Sequence, residues 1–422
     1  MKIKALKGVQ DILPDEIEAW NFVHTQAYKI FLSYGYRQII VPMIEESGLF
    51  TRGIGEQTDI VEKEMYTFLD RGNRSISLRP EATASIVRAY LEHNYSHAGL
   101  TKFFYSGAMF RGEKPQAGRN RQFYQIGVEA MGSYNPFLDA ETLSLATEYL
   151  KNIGITDFKV LVNTVGSRDD KQSFSKKLKI FLTPSKELLC EHCKSRFERN
   201  VLRILDCKNK NCKKILKDAP KIIDCLSPES MKDFSLFQNA LELLGVEYTF
   251  DPYLVRGLDY YTKTVFEITH DKLGAQNTIL AGGRYDNLIE QLGGPATGAI
   301  GFACGVERLL LAQKAESGAA NITIKPSIYA IGLGKDSYER IFEITHILRK
   351  NSISVHLDFE NKSIKAQMRQ ANKLSCSHVL ILGDDELNKD SIIIKYMDKG
   401  IQELIKIESL LEVIKKEFPL RI

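Results

Sequence analysis

From Asp15 onward the apolar residues Ile17, Trp20, Val23, Ala27, Ile30, Phe31 and Tyr34 recur at spacings of three and four. That period predicts an amphipathic helix opened after Pro14 and closed at Gly35. Tyr36–Val41 then reads as a strand stopped by Pro42, and a further strand is predicted at 75–78, followed by a helix over 84–94. Strands at 102–111 and 121–129 flank a polar loop of nine residues containing Pro115 and Gly118, so they are expected to form an antiparallel hairpin. A helix at 139–152 and a strand at 158–163 precede a helical, Lys/Leu-patterned stretch over 168–228. Strands return at 265–269 and 300–304, the second running into a helix at 306–315.

Small and polar residues at 316–326 mark a linker, after which the order changes. Strand 327–333, helix 336–350, strand 353–358, helix 362–374 and strands 378–382 and 391–397 precede a final helix. Such alternation predicts a small α/β domain over 326–422 with a mostly parallel sheet. Hairpins with few crossover helices make residues 1–325 an α+β body around an antiparallel sheet, interrupted by the insertion 168–228.

Composition adds limits to this outline. With 422 residues, 44% hydrophobic and 26% charged, the chain fits a folded globular protein of more than one domain. No apolar segment approaches the ~18 residues of a membrane span, and Met1–Gly8 lacks the apolar core of a secretion signal. Seven cysteines, an odd number, suit a reducing compartment, so a cytoplasmic location without membrane contact is expected. The net charge of +4 is uneven: residues 168–228 hold 16 Lys/Arg against 8 Asp/Glu, a local +8 over a remainder of −4. That block suits either a polyanionic partner or a solvated lysine surface.

The candidate chemistry centres on the hairpin. Alternation puts Arg121, Phe123, Gln125, Gly127 and Glu129 on one face of its second strand, a poor core and a good floor for a polar substrate. Arg111 ends the first strand and Arg119 lies in the loop, and arginines grip phosphate oxygens in bidentate fashion. Glu81 and Thr83 sit at a strand-to-helix junction, where they either turn into a cleft or leave Thr83 capping the helix with Glu81 exposed. Tyr253–Thr262 is dense in hydrogen-bond donors around Arg256-Gly257, and Ala281–Asn287 contains a Gly-Gly turn with Arg284 and Tyr285. Gly298–Arg308 is a glycine-spaced strand entering a helix, with Arg308 in its first turn facing back over the sheet. No nucleophile triad, Walker lysine loop or dinucleotide fingerprint accompanies these arginines. The expected site stabilises charge and positions reactants instead of attacking them.

These residues identify the chain as similar to bacterial histidyl-tRNA synthetases, which are class II aminoacyl-tRNA synthetases. The first helix with Tyr36–Pro42 resembles class II motif 1, Phe110-Arg-Gly-Glu113 with Arg121–Glu129 resembles motif 2, and Gly301–Arg308 resembles motif 3. Leu254–Tyr261 and Ala281–Asp286 resemble the two segments peculiar to the histidine enzymes. The resemblance implies a class II antiparallel catalytic core with a small helical insertion, a C-terminal anticodon-binding domain, and a homodimer built through motif 1. It implies ATP, used with Mg²⁺, bound by Arg111, Glu113, Arg119, Phe123 and Arg308. The adenine would lie between Phe123 and Arg308, with Arg111 on the α-phosphate. Glu81, Thr83 and Gln125 would take the α-amino group of L-histidine, with Glu129, Tyr260, Tyr261 and Tyr285 around its imidazole. Arg256 would bridge the substrate carboxylate and α-phosphate, making Arg256 and Arg111 the catalytic pair. The implied reaction forms histidyl-adenylate with release of pyrophosphate, then transfers histidine to the terminal adenosine of tRNA(His).

Gly112 and Lys114 depart from many relatives, so the loop's tRNA contacts rest on Gln116 and Arg119–Arg121. The insertion falls where the family places a domain leaning on the tRNA acceptor arm. Within it, Cys190-x2-Cys193 and Cys207-x4-Cys212, thirteen residues apart, approximate a zinc knuckle. The family as a whole does not require zinc, so the expectation favours four reduced cysteines packing a helical module. In the last domain Lys362, Lys365, Arg369 and Lys373 form one helix stripe, which suits RNA backbone or plain solvent equally. Non-catalytic relatives that serve as regulatory subunits in histidine biosynthesis tend to lose the histidine-specific segments and the anticodon domain, and this chain keeps both.

Overall fold

A computed structural model describes residues 3–55, 58–116, 118–274, 276–317, 328–360 and 362–417. It divides into two compact units, Met1–Asn321 and Ile322–Ile422. Most of the expected linker, residues 318–326, lies outside the described residues.

The strands of the first unit are β1 (Arg37–Gln38), β2 (Ile44–Glu46), β3 (Tyr66–Leu69), β4 (Ser75–Leu78), β5 (Thr101–Phe110), β6 (Gln122–Met131), β7 (Lys159–Thr164), β8 (Thr249–Phe250), β9 (Thr262–Thr269), β10 (Thr278–Arg284) and β11 (Ala299–Gly305). Eight form one sheet in the order β1-β5-β6-β11-β10-β9-β7-β8, and β2-β4-β3 form a small second sheet. The six central strands of the large sheet are antiparallel, while β1 and β8 join its edges in parallel. Helices Pro14–Ser33, Pro136–Asn152, Pro228–Leu243 and Val306–Ser317 bury one face of this sheet. Phe31 is fully buried there, edge-on to Phe104, Tyr149 and Phe302 at centroid distances of 5.6, 5.3 and 6.0 Å. Its burial contributes about 1.5–3 kcal/mol. Helix Thr83–Glu92 and the insertion pack on the opposite face, around Phe103, Tyr105 and Tyr285.

The alternation along β6 explains why one strand serves two environments. Ile126, Val128 and Ala130 enter the helix-covered core, which leaves Phe123, Gln125, Gly127 and Glu129 on the other face. Gly127 is required there, because a Cβ would stand 2.5 Å from both the Phe302 carbonyl and the Tyr105 hydroxyl.

Three expectations are corrected. The strand predicted at 36–41 pairs only at Arg37 and Gln38, because Pro42 follows and the Arg79 guanidinium takes the Val41 and Pro42 carbonyls at 2.8 and 3.3 Å. The Gly-Gly segment 282–283 is no turn; it lies inside β10, and Gly283, at φ 154°, stands where the register with β9 shifts. The third correction concerns the second unit, whose strands are β12 (Ile328–Gly332), β13 (Val355–Leu357), β14 (His378–Leu382), β15 (Ser391–Tyr396) and β16 (Gln402–Lys406). Its order is β13-β12-β14-β15-β16, with two parallel and two antiparallel pairings, so the sheet is mixed and not mostly parallel. The unforeseen β16 is an edge strand on which only Ile405 is even partly covered, so its sequence carries no burial rhythm.

Three helices, Arg168–Leu182, Glu191–Arg199 and Lys210–Leu216, make up most of the insertion. Its two ends meet at one carboxylate. Asp170 accepts from the backbone N–H groups of Ser167 and Ser227 at 2.9 and 2.8 Å and from the Ser230 hydroxyl at 2.5 Å. Burial opposes that charge, yet the donors from Ser230, Ser167 and Ser227 outweigh it and hold the carboxyl below its usual range.

Candidate active site

The uncovered part of the β6 face opens into a cleft of about 1160 Å³. Of the residues expected to bind ligands, Arg111, Glu113, Arg119, Phe123, Gln125, Arg256 and Arg308 line it. Arg111 Nε donates to the Pro80 carbonyl at 3.0 Å, which sets the guanidinium over the Phe123 ring at 5.1 Å. Arg119 pairs with Glu113 at 3.1 Å across the loop. Arg308 donates to the Thr278 and Gln276 carbonyls at 2.6 and 3.2 Å, and its Nε reaches Gly118 O at 3.3 Å. Arg256 is held by Glu267 at 2.6 Å, and its buried Nε has no partner among the described residues.

Beside the cleft lies a buried polar cluster. Glu81 neither points outward nor leaves the capping to Thr83: its carboxylate accepts the Thr83 and Ala84 N–H groups at 2.7 and 2.9 Å and so caps helix Thr83–Glu92 itself. The Thr83 hydroxyl is thereby free to donate to Glu129 Oε1 at 2.7 Å, while the Tyr285 hydroxyl donates to Glu129 Oε2 at 2.5 Å. Tyr260 packs on Tyr261 and Tyr285 at 4.8 and 5.7 Å, and the Arg256 guanidinium stands 6.0 Å from the Tyr261 ring. On β11, Gly301 leaves room for the Glu129 carboxylate, which any Cβ would overlap. Among the described residues Gln125 Oε1 is buried without a partner, an acceptor left for a ligand.

Burial pushes the Glu129 carboxyl up to about 8, with nearby Glu81 adding to the effect and the Tyr285 and Thr83 hydrogen bonds opposing it. The folded chain therefore holds this proton more tightly than the unfolded chain does. Stability is lost as pH rises from the ordinary carboxylate range through about 8. Glu129→Gln is expected to gain melting temperature relative to the parent progressively from about pH 5 to 9. Parallel melting profiles across that range would contradict the assignment. Glu81, whose carboxyl burial also raises, leaves a residual slope in the variant.

The remaining sequence candidates lie elsewhere. Gln116 and Arg119 form an isolated backbone pair in the loop, and the backbone N–H of Arg121 donates to Gly8 O at 2.7 Å. In the second unit Lys365, Arg369 and Lys373 share the exposed side of helix Ile364–Lys373. Lys362 precedes that helix, its N–H bound to Asp358 at 2.8 Å, so the stripe has three members on the helix instead of four. Arg284 faces away from the cleft, wholly buried against Asp139 and Asp286. Part of the basic block is consumed internally: Arg196 and Arg199 pair with Asp59 and Glu62, and Lys186 with Glu198. Cys190, Cys193, Cys207 and Cys212 converge, although they come from two separate segments.

Sequence reasoning missed several cleft carboxylates, Glu267 and Glu64 among them. Glu267 holds Arg256 and also accepts from the Thr278 hydroxyl. Its signal was a lone acid in the apolar run Val265–Ile268. Glu64 ends the π-helical turn Ile60–Glu64, its carbonyl accepts Gly112 N–H at 2.6 Å, and burial raises its carboxyl despite nearby Arg111. No local pattern marks it.

Arginines disposed over an antiparallel platform, with a long hairpin and a glycine-spaced strand entering a helix, define the class II aminoacyl-tRNA synthetase core, and this fold is of that class. Residues 8–170 and 185–309 match the histidyl-tRNA synthetase family, and residues 327–417 match the anticodon-binding-domain family. The chain is 46% identical to a histidine–tRNA ligase of Halothermothrix orenii, over 99% of this chain and 100% of the relative. It is 44% identical to one from Desulfitobacterium hafniense, covering 99% of both chains. The apo histidyl-tRNA synthetase of S. aureus superposes with a TM-score of 0.83 at 35% identity, over 98% of this chain and 100% of that structure. The chain belongs to the histidyl-tRNA synthetase family.

Proposed function

We propose that this chain ligates L-histidine to tRNA(His) with the cleft and the buried cluster dividing the work. The observation that carries the reading is Glu129, clasped by Thr83 and Tyr285 beside an arginine-lined cleft. A carboxyl fixed by two hydroxyls presents its remaining lone pairs in one orientation, which suits the N–H of an imidazole, while Tyr260 and Tyr261 supply the aromatic walls. Glu81, Thr83 and Gln125 would take the α-amino group.

ATP would occupy the cleft, with its adenine between Phe123 and Arg308, Arg111 on the α-phosphate, and Arg119 with Glu113 toward the β and γ end. Arg256 then neutralises charge where the histidine carboxylate attacks the α-phosphorus. The Glu113 and Glu267 carboxylates lining the cleft are oxygen donors of the kind that would hold Mg²⁺, which would offset the charge of the pyrophosphate. The acyl-adenylate passes to the tRNA's terminal adenosine without a side-chain nucleophile. Gln116 and Arg121 would meet the acceptor end, and Lys365, Arg369 and Lys362 the RNA backbone.

A cytoplasmic homodimer is the expected form. Tyr28, Leu32, Ile40, Met43 and Ile44, at and after the first helix, expose apolar surface suited to a second copy. Among the described residues no helix is long and apolar enough to cross a membrane. A panel of twenty amino acids in ATP–pyrophosphate exchange tests the reading. Histidine alone is expected to drive exchange; a response to none, or to another amino acid, would refute it.

A further inference from the structure

We propose that Cys190, Cys193, Cys207 and Cys212 bind a structural Zn²⁺ that fixes the insertion's wall of the ligand cleft. All four Sγ atoms lie within 4.8 Å of one another. Tetrahedral zinc with Zn–S bonds of about 2.3 Å sets its sulfurs about 3.8 Å apart. Cys190 and Cys207 Sγ are separated by 3.8 Å. All four are free thiols, and three of them are buried.

The local backbone builds each half of the site. Cys190 precedes helix Glu191–Arg199 and Cys193 lies in its first turn, so a two-residue spacing brings both sulfurs to one side. Cys212 is delivered by the turn at Asn209, whose side chain accepts the Asn211 and Cys212 N–H groups at 2.9 and 3.4 Å. The halves are joined by Cys190 N–H donating to Cys212 Sγ at 3.3 Å, a bond of the kind that orients a metal-bound sulfur. The four sulfurs sit within an apolar core, and such a core by itself has no reason to draw four of them to one point from two segments. Helices Glu191–Arg199 and Lys210–Leu216 have only nine and seven residues, so a metal shared by their N-terminal ends would add a cross-link that fixes one against the other.

The site's position gives the metal a role. Cys190 and Cys207 line the cleft together with Lys208 and Asn209. Between the two cysteine pairs, Arg203 donates to the Arg256 carbonyl at 3.4 Å and accepts from Arg196 at its own carbonyl. The wall that zinc would hold is therefore the one that touches the Arg256 segment.

Metal content of the full chain, purified without a histidine tag, tests this directly. About one zinc per chain is expected, released by a mercurial thiol reagent. The thiols of Cys190, Cys193, Cys207 and Cys212 should resist alkylation until the metal leaves and become reactive once it does, whereas the burial of Cys304 and Cys376 is unaffected by it. Cys193→Ser with Cys212→Ser is expected to lose the zinc. Should that variant fail to fold, protein produced with Co²⁺ is read instead, for the ligand-field absorption of a tetrahedral tetrathiolate site. Chains without stoichiometric metal, zinc retained in the folded variant, cobalt without that spectrum, or disulfides between these cysteines by mass spectrometry would each overturn the proposal.

Discussion

Arg256→Ala is expected to lower histidine-dependent ATP–pyrophosphate exchange by about 10²–10³-fold, the loss typical of removing one preorganised donor from a site of developing charge. The guanidinium is already positioned: Glu267 holds one nitrogen at 2.6 Å, the Tyr261 ring lies 6.0 Å away, and Nε is buried without a partner among the described residues. Little reorganisation is needed when phosphate charge develops. The substitution also strands Glu267, a carboxylate lining the same cleft, and its repulsion toward ATP adds to the loss. Two further variants separate these effects. Glu267→Gln keeps the guanidinium and should cost less than Arg256→Ala, while Arg256→Lys keeps the charge without the fork. Arg256→Ala with near-parent exchange would remove this residue from the chemistry.

A loss of about 3–5 kcal/mol in stability is expected from Arg284→Met, through a residue that lines no part of the cleft. Its Nε and Nη2 meet Asp139 at 2.9 and 2.7 Å, and its Nη1 meets Asp286 and the Ser133 carbonyl at 2.8 and 3.0 Å. Both Arg284 and Asp139 are almost wholly buried, so removing the cation leaves a buried carboxylate with no opposite charge beside it and only the Thr264 hydroxyl as a side-chain donor. The Asp139→Leu, Arg284→Met pair is expected to recover part of the loss, because it removes the more deeply buried carboxylate with the cation and leaves only Asp286, which also accepts from the Ala299 N–H at 3.0 Å. Urea unfolding at pH 7 measures both. A loss below about 1 kcal/mol in the single variant would show that the pair carries no net stability.

The difference between these two arginines shows how far sequence could reach. Arg256 and Arg284 both follow the same cues, an arginine beside glycine in a tyrosine-rich segment, yet one faces the cleft and the other is buried among carboxylates. Only the partner helix Pro136–Asn152, distant in sequence, decides between them. Where a period governs burial the reading was sound: the first helix from its apolar spacing, and the β6 face from alternation. Features without a period were lost, namely the exposed edge strand β16, the short β2 and β3, and Glu64 on its single turn. Glu81 shows a third limit. The choice between cap and cleft was framed around Thr83, whereas the carboxylate caps the helix and thereby releases Thr83 to Glu129.

The closure of the insertion at Asp170 also bears on how such a chain can change. The segment between Ser167 and Ser227 leaves and rejoins the body at the carboxylate of its own Asp170, so the distance between the two ends is fixed whatever follows Asp170 within it. Loop-closure entropy grows only with the logarithm of length, and doubling the enclosed segment would add about 0.6 kcal/mol. Insertions, deletions or exchange within this segment that keep Asp170 can thus proceed with the register of the large sheet untouched, and drift in its size and content is the outcome such a neck permits.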